Sequence, residues 1–360
     1  MGESQKFLVN FSFFTINFIH FCCYLLETLK KLTKCIDMEK CIAEEKIEQA
    51  AQRIKNYVSL TPLIKSHYLS FLTGANVYLK TENFQLSRSF KIRGITNKVL
   101  SLSTEKRRRG IVVASTGNHG IAAATISSFL NIPVTVFLPD GTSELKVSTL
   151  RSMKAKIIFY GDDCLEAEEY ARDYAQQHDL TFISPYNDWE VVWGQGTIGY
   201  EIFHQLKKLD VVFVPVGGGG LISGISSYLK TKMKNVEIVG SIPINSPVML
   251  ESIKAGKIIK MDVQDTLADA TKGGIEQGSI TFELCKKYVD RFVTISEKEI
   301  QTAIKEIIIN ESMIVEGAAA LSVAALLKEK AKYKNRTVVV ILSGARISKK
   351  HLQKILCNKS

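Results

Sequence analysis

No C-x-x-C pair occurs in the chain, and no ladder of cysteine and histidine at zinc-ligand spacing. The seven cysteines are odd in number, with Cys22, Cys23, Cys35 and Cys41 crowded near the start and Cys164, Cys285 and Cys357 scattered. That distribution gives neither a disulfide framework nor a structural metal, and a reducing compartment is the expectation. Fixed-period repeats and low-complexity tracts are also missing, which excludes solenoids and disordered chains. Acidic residues are outnumbered, 36 to 47, for a net charge of +11. The basic clusters, Lys106 to Arg109 and the acid-free stretch Arg346 to Ser360, are not interleaved with aromatic residues as single-strand binding requires. We therefore expect a solvated basic surface and no nucleic-acid partner. What remains is 360 residues of ordinary globular composition, enough for two domains or one large α/β unit.

The first stretch differs from the rest. Phe7 to Leu26 carries no formal charge and is flanked by Lys6 and by Lys30, Lys31 and Lys34. A helix of that length would span about 30 Å. Asn10, Ser12, Thr15, Asn17 and His20 interrupt it, and each would need a partner in lipid. No clear small-x-small cleavage site follows, which argues against a signal peptide. Met38 stands just before an ordinary amphipathic helix. Two readings stay open for residues 1–37: a leader or loosely attached appendage, or a membrane anchor touching lipid through residues 7–26.

From Met38 onward the pattern alternates. Residues 42–57 have helical periodicity and stop at Thr61-Pro62. Apolar runs suited to buried strands recur at Ile111–Ser115, Pro133–Leu138, Lys156–Tyr160, Val211–Val216, Glu237–Ile242 and Thr337–Leu342. Helix-length segments separate most of them: Asn118–Leu130, Glu144–Met153, Asp163–His178, Leu221–Lys230 and Glu297–Asn310. Strands apolar throughout, alternating with helices, indicate an α/β fold with parallel sheet covered on both faces. Ligands in such folds bind where the carboxyl ends of strands lead into helices.

Three of these loops are chemically unusual: those after Ile111–Ser115, after Val211–Val216, and after Val338–Leu342, where Ser343-Gly344 follows, and all three should open on the same edge of the sheet. Gly217-Gly218-Gly219-Gly220 follows a Val-rich strand and leaves backbone N–H groups free to surround a phosphate at a helix start. A tight turn alone needs one or two glycines. The spacing is neither Gly-x-Gly-x-x-Gly nor a Walker loop, so a small phosphorylated cofactor fits better than a dinucleotide or a triphosphate. Ser115-Thr116-Gly117-Asn118-His119 places two hydroxyls, free N–H groups and an amide at another helix start, suited either to a carboxylate or to plain capping. In Ser89-Phe90-Lys91-Ile92-Arg93-Gly94 a lysine follows an aromatic residue. It is either an ordinary exposed lysine or, in an apolar site with a depressed pKa, a Schiff-base lysine.

These segments, with Leu342-Ser343-Gly344, occur in the order and spacing of the serine/threonine dehydratases, and residues 42–350 resemble that family. It belongs to the fold-type-II pyridoxal-phosphate (PLP) enzymes, which include serine racemase and share a tryptophan-synthase-β-like fold. Gly194-Gln195-Gly196-Thr197-Ile198-Gly199, Thr266-Leu267-Ala268-Asp269 and Val315-Glu316-Gly317 look most like the ectoine- or hydroxyectoine-utilisation branch. The resemblance implies two parallel-sheet domains with the cofactor between them: a large one of residues 38–105 plus 187–356 and a small one of residues 106–186. It implies that Lys91 carries PLP as a Schiff base, Phe90 packs on the ring and Asn118 bonds its 3′-oxygen. Gly217, Gly218, Gly219, Gly220 and Leu221 would bind the phosphate, and Ser343 would face the pyridine nitrogen. Glu316 would line the site, while Ser115, Thr116, Gly117 and His119 would hold the substrate carboxylate. The implied reaction is α,β-elimination from L-threonine, L-serine or a related β-hydroxy amino acid by a cytoplasmic homodimer.

The chain departs from the family in several places. Arg88 replaces a glycine before Ser-Phe-Lys, and Arg346 replaces an asparagine after the serine-glycine turn. Ile242 and Val248 occupy the positions whose carboxylates bind a divalent cation in racemase-like members, so no metal is expected. Thr116 stands where racemases have the serine that acts as second acid/base, which disfavours racemisation. Little chain follows Ser343, so the C-terminal regulatory domain of biosynthetic threonine deaminases is not expected. Arg88, Arg346 and the first stretch motivate a second reading: a weakly active PLP-binding relative with a regulatory or membrane-tethered role.

Overall fold

A computed structural model of the chain describes residues 43–357 apart from 143 and 163. The expectations for residues 1–37 lie outside the described residues, among which no helix is long and apolar enough to cross a membrane. The first described element, α1, spans residues 43–54.

Two sheets organise the chain. The larger has six strands in the order β1-β2-β10-β7-β8-β9. Its strands are β1 (Leu63–Lys65), β2 (Asn76–Lys80), β7 (Val211–Pro215), β8 (Glu237–Pro243), β9 (Arg291–Ile295) and β10 (Thr337–Ile341). All pairings are parallel except β1 with β2, where Leu63 faces Lys80. The smaller sheet is wholly parallel, in the order β5-β4-β3-β6. It is formed by β3 (Ile111–Ala114), β4 (Val134–Leu138), β5 (Lys156–Phe159) and β6 (Thr181–Phe182). The expected parallel α/β architecture is therefore present, with one antiparallel edge strand added.

Alternation of side chains along a strand divides each core in two. Val211, Phe213, Val338 and Val340 point to one face of the larger sheet, under helices α12 (Glu297–Glu311) and α13 (Gly317–Lys328). Val212, Val214, Val339 and Ile341 point to the other, under α8 (Trp189–Gln205) and α9 (Gly220–Lys232). Strands buried on both faces explain why these runs read as continuously apolar.

The helix that begins with Lys91, α3 (Lys91–Ser101), is pinned from two sides. Ile92, Ile95 and Val99 bury against Ile111 and Val113 of the smaller sheet. Its other side meets α8 backbone to backbone: a Cβ on Gly194 would lie 2.6 Å from the Gly94 Cα. Only glycine permits that approach. Beneath it lies a buried ion cluster in which Arg93 donates to Glu82 at 2.7 Å and to Glu201 at 2.6 Å, and Lys80 meets Glu201 at 2.5 Å. Burial pushes the Glu82 carboxyl up, but Arg93 beside it and Lys80 hold it below its usual range. Removing one partner from such a cluster costs about 3–5 kcal/mol, because the others remain charged and unpaired.

Candidate active site

Every segment flagged by its chemistry lies at or just beyond the carboxyl end of a parallel strand. Lys91 follows β2 and a short 3-10 turn at Glu82–Phe84. Phe90 caps the helix, and its N–H donates to the Ser343 carbonyl at 3.0 Å. An isolated bridge joins Ser89 to Gly344, and Ala345 N–H donates to the Arg88 carbonyl at 2.9 Å. The lysine segment and the segment after β10 thus form one two-stranded strap. Arg88 adopts a left-handed φ of 62°, which favours the glycine that the family pattern places there. Arg346 donates from Nε to the Ser87 carbonyl at 3.3 Å.

The Lys91 amine donates to the Pro185 carbonyl at 2.9 Å and lies 5.1 Å from the centroid of the Phe90 ring. Its stem keeps some exposure, but burial lowers the amine pKa to about 8, against the pull of Glu316 and Glu168. Of the two readings of this lysine, the ordinary exposed one does not hold. Glu316 caps α13, and its carboxylate oxygens each accept from Asn118 Nδ2 at 2.9 Å. Burial pushes the Glu316 carboxyl up to about 7; the Asn118 bonds oppose this and Asp269 adds to it.

The second loop starts α5 (Asn118–Leu130). Ser115 and Thr116 are half-buried, and Ser115 Oγ accepts from Gly117 N–H at 3.1 Å. The first N–H groups of the helix have no intrahelical acceptor and are free for an anion. The His119 side chain turns away to the Ile183 carbonyl, 2.9 Å from Nε2. Since a carbonyl only accepts, Nε2 carries the hydrogen. Burial, with Lys91 adding, lowers the His119 pKa to about 3, so the ring is neutral. A neutral ring bonded there has no cation for a carboxylate; only the His119 backbone N–H can serve one.

The tetraglycine loop is closed from behind. Gly219 has φ 85° and α9 begins at Gly220, with Leu221 buried after it. A Cβ at Gly218 would fall 2.5 Å from the Tyr186 ring, so a side chain is excluded there. Pro185 and Tyr186, which touch both Lys91 and this loop, were not singled out in the sequence. They follow β6, whose two-residue ladder is too short to show as an apolar run. Glu168 and the partners of Arg93 in the ion cluster, Lys80, Glu82 and Glu201, carry no sequence signal either, since single charged residues have no periodicity.

These contacts link Lys91, Asn118, Glu316, Ser343 and the glycine loop into one cluster. Whether PLP suits it can be judged from groups left without partners. Asn118 Oδ1 and Ser343 Oγ are buried and unbonded among the described residues. Unpaired polar atoms of that kind are costly unless a ligand completes them. Together with a side-chain-free loop at a helix start and a lysine of depressed pKa, they fit a phosphorylated aldehyde with a polar ring.

Comparison with known proteins agrees. Residues 54–344 match the family model described as pyridoxal-phosphate dependent enzyme. The L-threonine ammonia-lyase of Thermotoga maritima is 40% identical over 317 residues, 88% of this chain and 78% of the relative. Among solved structures, the processed form of threonine deaminase isoform 2 from Solanum lycopersicum superposes with TM-score 0.84 at 32% identity, covering 88% of this chain and 92% of that one. Maize serine racemase gives TM-score 0.82 at 28% identity, covering 86% and 95%. The strand-end cluster and these matches lead to one conclusion: the chain belongs to the family of pyridoxal-phosphate dependent enzymes.

Proposed function

We propose that the protein is an ammonia-lyase that converts L-threonine, L-serine or a related β-hydroxy amino acid to a 2-oxo acid and ammonia. The observation that carries this reading is the Lys91 amine of depressed pKa, held by the Pro185 carbonyl beside two unbonded buried polar groups. The relative named L-threonine ammonia-lyase supports the choice of substrate class. Bound PLP supplies an electron sink that acidifies the substrate Cα–H.

The chain's residues have the following parts. Lys91 would hold the cofactor and would accept the Cα proton at Nζ; with a pKa lowered to about 8, about a tenth of the amine is unprotonated at pH 7, far more than of an ordinary lysine. Phe90 would pack beside the ring and Asn118 would orient its 3′-oxygen. Backbone N–H groups of Gly217 to Gly220 and of Leu221 hold the phosphate. The hydroxyls of Ser115 and Thr116, with the N–H groups of Gly117 and His119, hold the substrate carboxylate. Ser343 would offer the ring nitrogen a hydroxyl and no negative charge, which would favour prompt loss of the β-hydroxyl over storage of carbanion charge. Glu316 holds the Asn118 amide in place. The cytoplasmic homodimer, and the division into residues 38–105 plus 187–356 and 106–186, belong to the same proposal; sedimentation velocity tests the dimer.

The deciding assay adds L-threonine and L-serine to the PLP-loaded protein and detects 2-oxo acid and ammonia. Equal molar release of both is expected. A protein that binds PLP but releases neither product from any β-hydroxy amino acid would contradict the reading.

A further inference from the structure

The wall formed by Pro185 and Tyr186 touches two parts of the candidate site at once. The Pro185 carbonyl holds the Lys91 amine at 2.9 Å, and the Tyr186 ring lies directly against Gly218 of the glycine loop. Such a wall has to be fixed for the lysine and the phosphate loop to keep a constant separation. The segment is a loop between the end of β6 and the start of α8, and backbone pairing alone does not fix it.

Its fastening runs through one glutamate. The Glu276 N–H donates to the Tyr186 hydroxyl at 2.9 Å, and Glu276 Oε2 accepts from Asn187 Nδ2 at 2.8 Å. Asn187 completes the seam by accepting from the Ile280 N–H at 3.0 Å. The same Oε2 accepts from Arg172 at 3.0 Å. Arg172 lies on α7 (Cys164–Gln177), which covers the smaller sheet; it also bonds Glu168 at 2.7 Å, and its guanidinium lies 4.5 Å from the Phe182 ring centroid. Glu276 lies on the loop between the 3-10 turn Asp269–Thr271 and α11 (Ile280–Tyr288), which packs with the larger sheet. Glu276 thus bonds Tyr186 through its backbone N–H, while its carboxylate ties a helix of the smaller sheet to Asn187, the residue that follows the wall.

We infer that Glu276, clamped by Arg172, is a positioning residue that holds the Pro185–Tyr186 wall against Lys91 and the glycine loop and so slows escape of the cofactor. The inference rests on the proposed PLP site. Glu276 touches neither lysine nor cofactor, so its effect is on retention and not on the chemistry of proton transfer.

The test measures the rate at which PLP leaves the holoprotein after dilution, in Glu276→Gln, Glu276→Ala and Arg172→Met. Glu276→Gln keeps the side-chain shape and guards against misfolding. Charge-assisted bonds that are one-third exposed support an expected increase of about five- to tenfold in release rate for Glu276→Ala and Arg172→Met. The double variant Arg172→Met with Glu276→Ala should release PLP no faster than either single one, because both break the same clamp. Arg172→Lys, which keeps the charge, should recover part of the retention. Thermal unfolding of the apoproteins should stay close to wild type, separating a positioning role from general loosening. Unchanged release in Glu276→Ala, or additive effects in the double variant, would overturn the inference while leaving the PLP site intact. A wild type that binds no PLP would overturn both.

Discussion

Lys91 and Glu316 are placed so that each changes protonation near neutrality, the amine at about 8 and the carboxyl at about 7. Capture of PLP by the apoprotein needs the neutral amine, so its rate should rise from pH 6.5 through 8 and then level off; stopped-flow absorbance checks this. Glu316→Gln, an uncharged mimic, should flatten any limb of the activity profile near pH 7 while preserving PLP binding. For stability the signs are opposite at two buried groups. Glu316 has a raised folded pKa, so its contribution is present below the unfolded value near 4.5 and lost as pH climbs through 7. His119 has a lowered one, so its contribution is present above 6.5 and lost as pH falls toward 3. Arg88 is a third case. Its left-handed backbone costs about 1 kcal/mol relative to glycine, and Arg88→Gly should raise the unfolding free energy by roughly that amount. A destabilised Arg88→Gly would show that the arginine side chain makes up more than the strain. The aromatic-lysine pair was readable from sequence; the carbonyl that holds the amine was not, because a backbone acceptor on a distant loop leaves no trace in residue type.

The helix bearing Lys91 shows why some elements are legible and others are not. The apolar strand runs mark the strands, with the ladders of β3, β7 and β10 ending one residue before the apolar pattern, where the chain turns into the site loops, and β5 doing so before Gly161. By contrast, α8 contains Gly194, Gly196 and Gly199, each unfavourable in a helix interior, and no local pattern announced it. Tertiary packing supplies what propensity withholds: those glycines let α3 and α9 approach closely. Strand β9 begins with Arg291 and β2 ends with Lys80, so neither reads as a continuous apolar run, yet Lys80 is fully buried in the ion cluster. Arg93→Met should cost about 3–5 kcal/mol by chemical denaturation, because Glu82 and Glu201 lose their main partner in a dry interior. Gly218→Asp tests the glycine loop at the same scale. It introduces a side chain against Tyr186 and a negative charge at the start of α9, so PLP affinity should fall sharply; unchanged affinity would move the phosphate elsewhere.

Across the whole molecule, the site is built from six stretches far apart in sequence: around Lys91, Ser115 to His119, Pro185-Tyr186, the tetraglycine loop, Glu316 and Ser343. Parallel sheets make this possible by delivering many strand ends to one edge. Four of the six carry motifs in the sequence, although the hydroxyl-rich helix start by itself suits plain capping as well as a carboxylate. A fifth, Glu316, was placed by family resemblance alone, and the sixth depended on a two-residue strand. Every role assigned at the site depends on where the cofactor is attached. Borohydride reduction of the PLP-loaded protein, followed by peptide mass spectrometry, locates the modified lysine directly. The expected result is a single phosphopyridoxyl group on Lys91 and none in Lys91→Ala. Labelling of a different lysine, or none after PLP loading, would contradict the site as built.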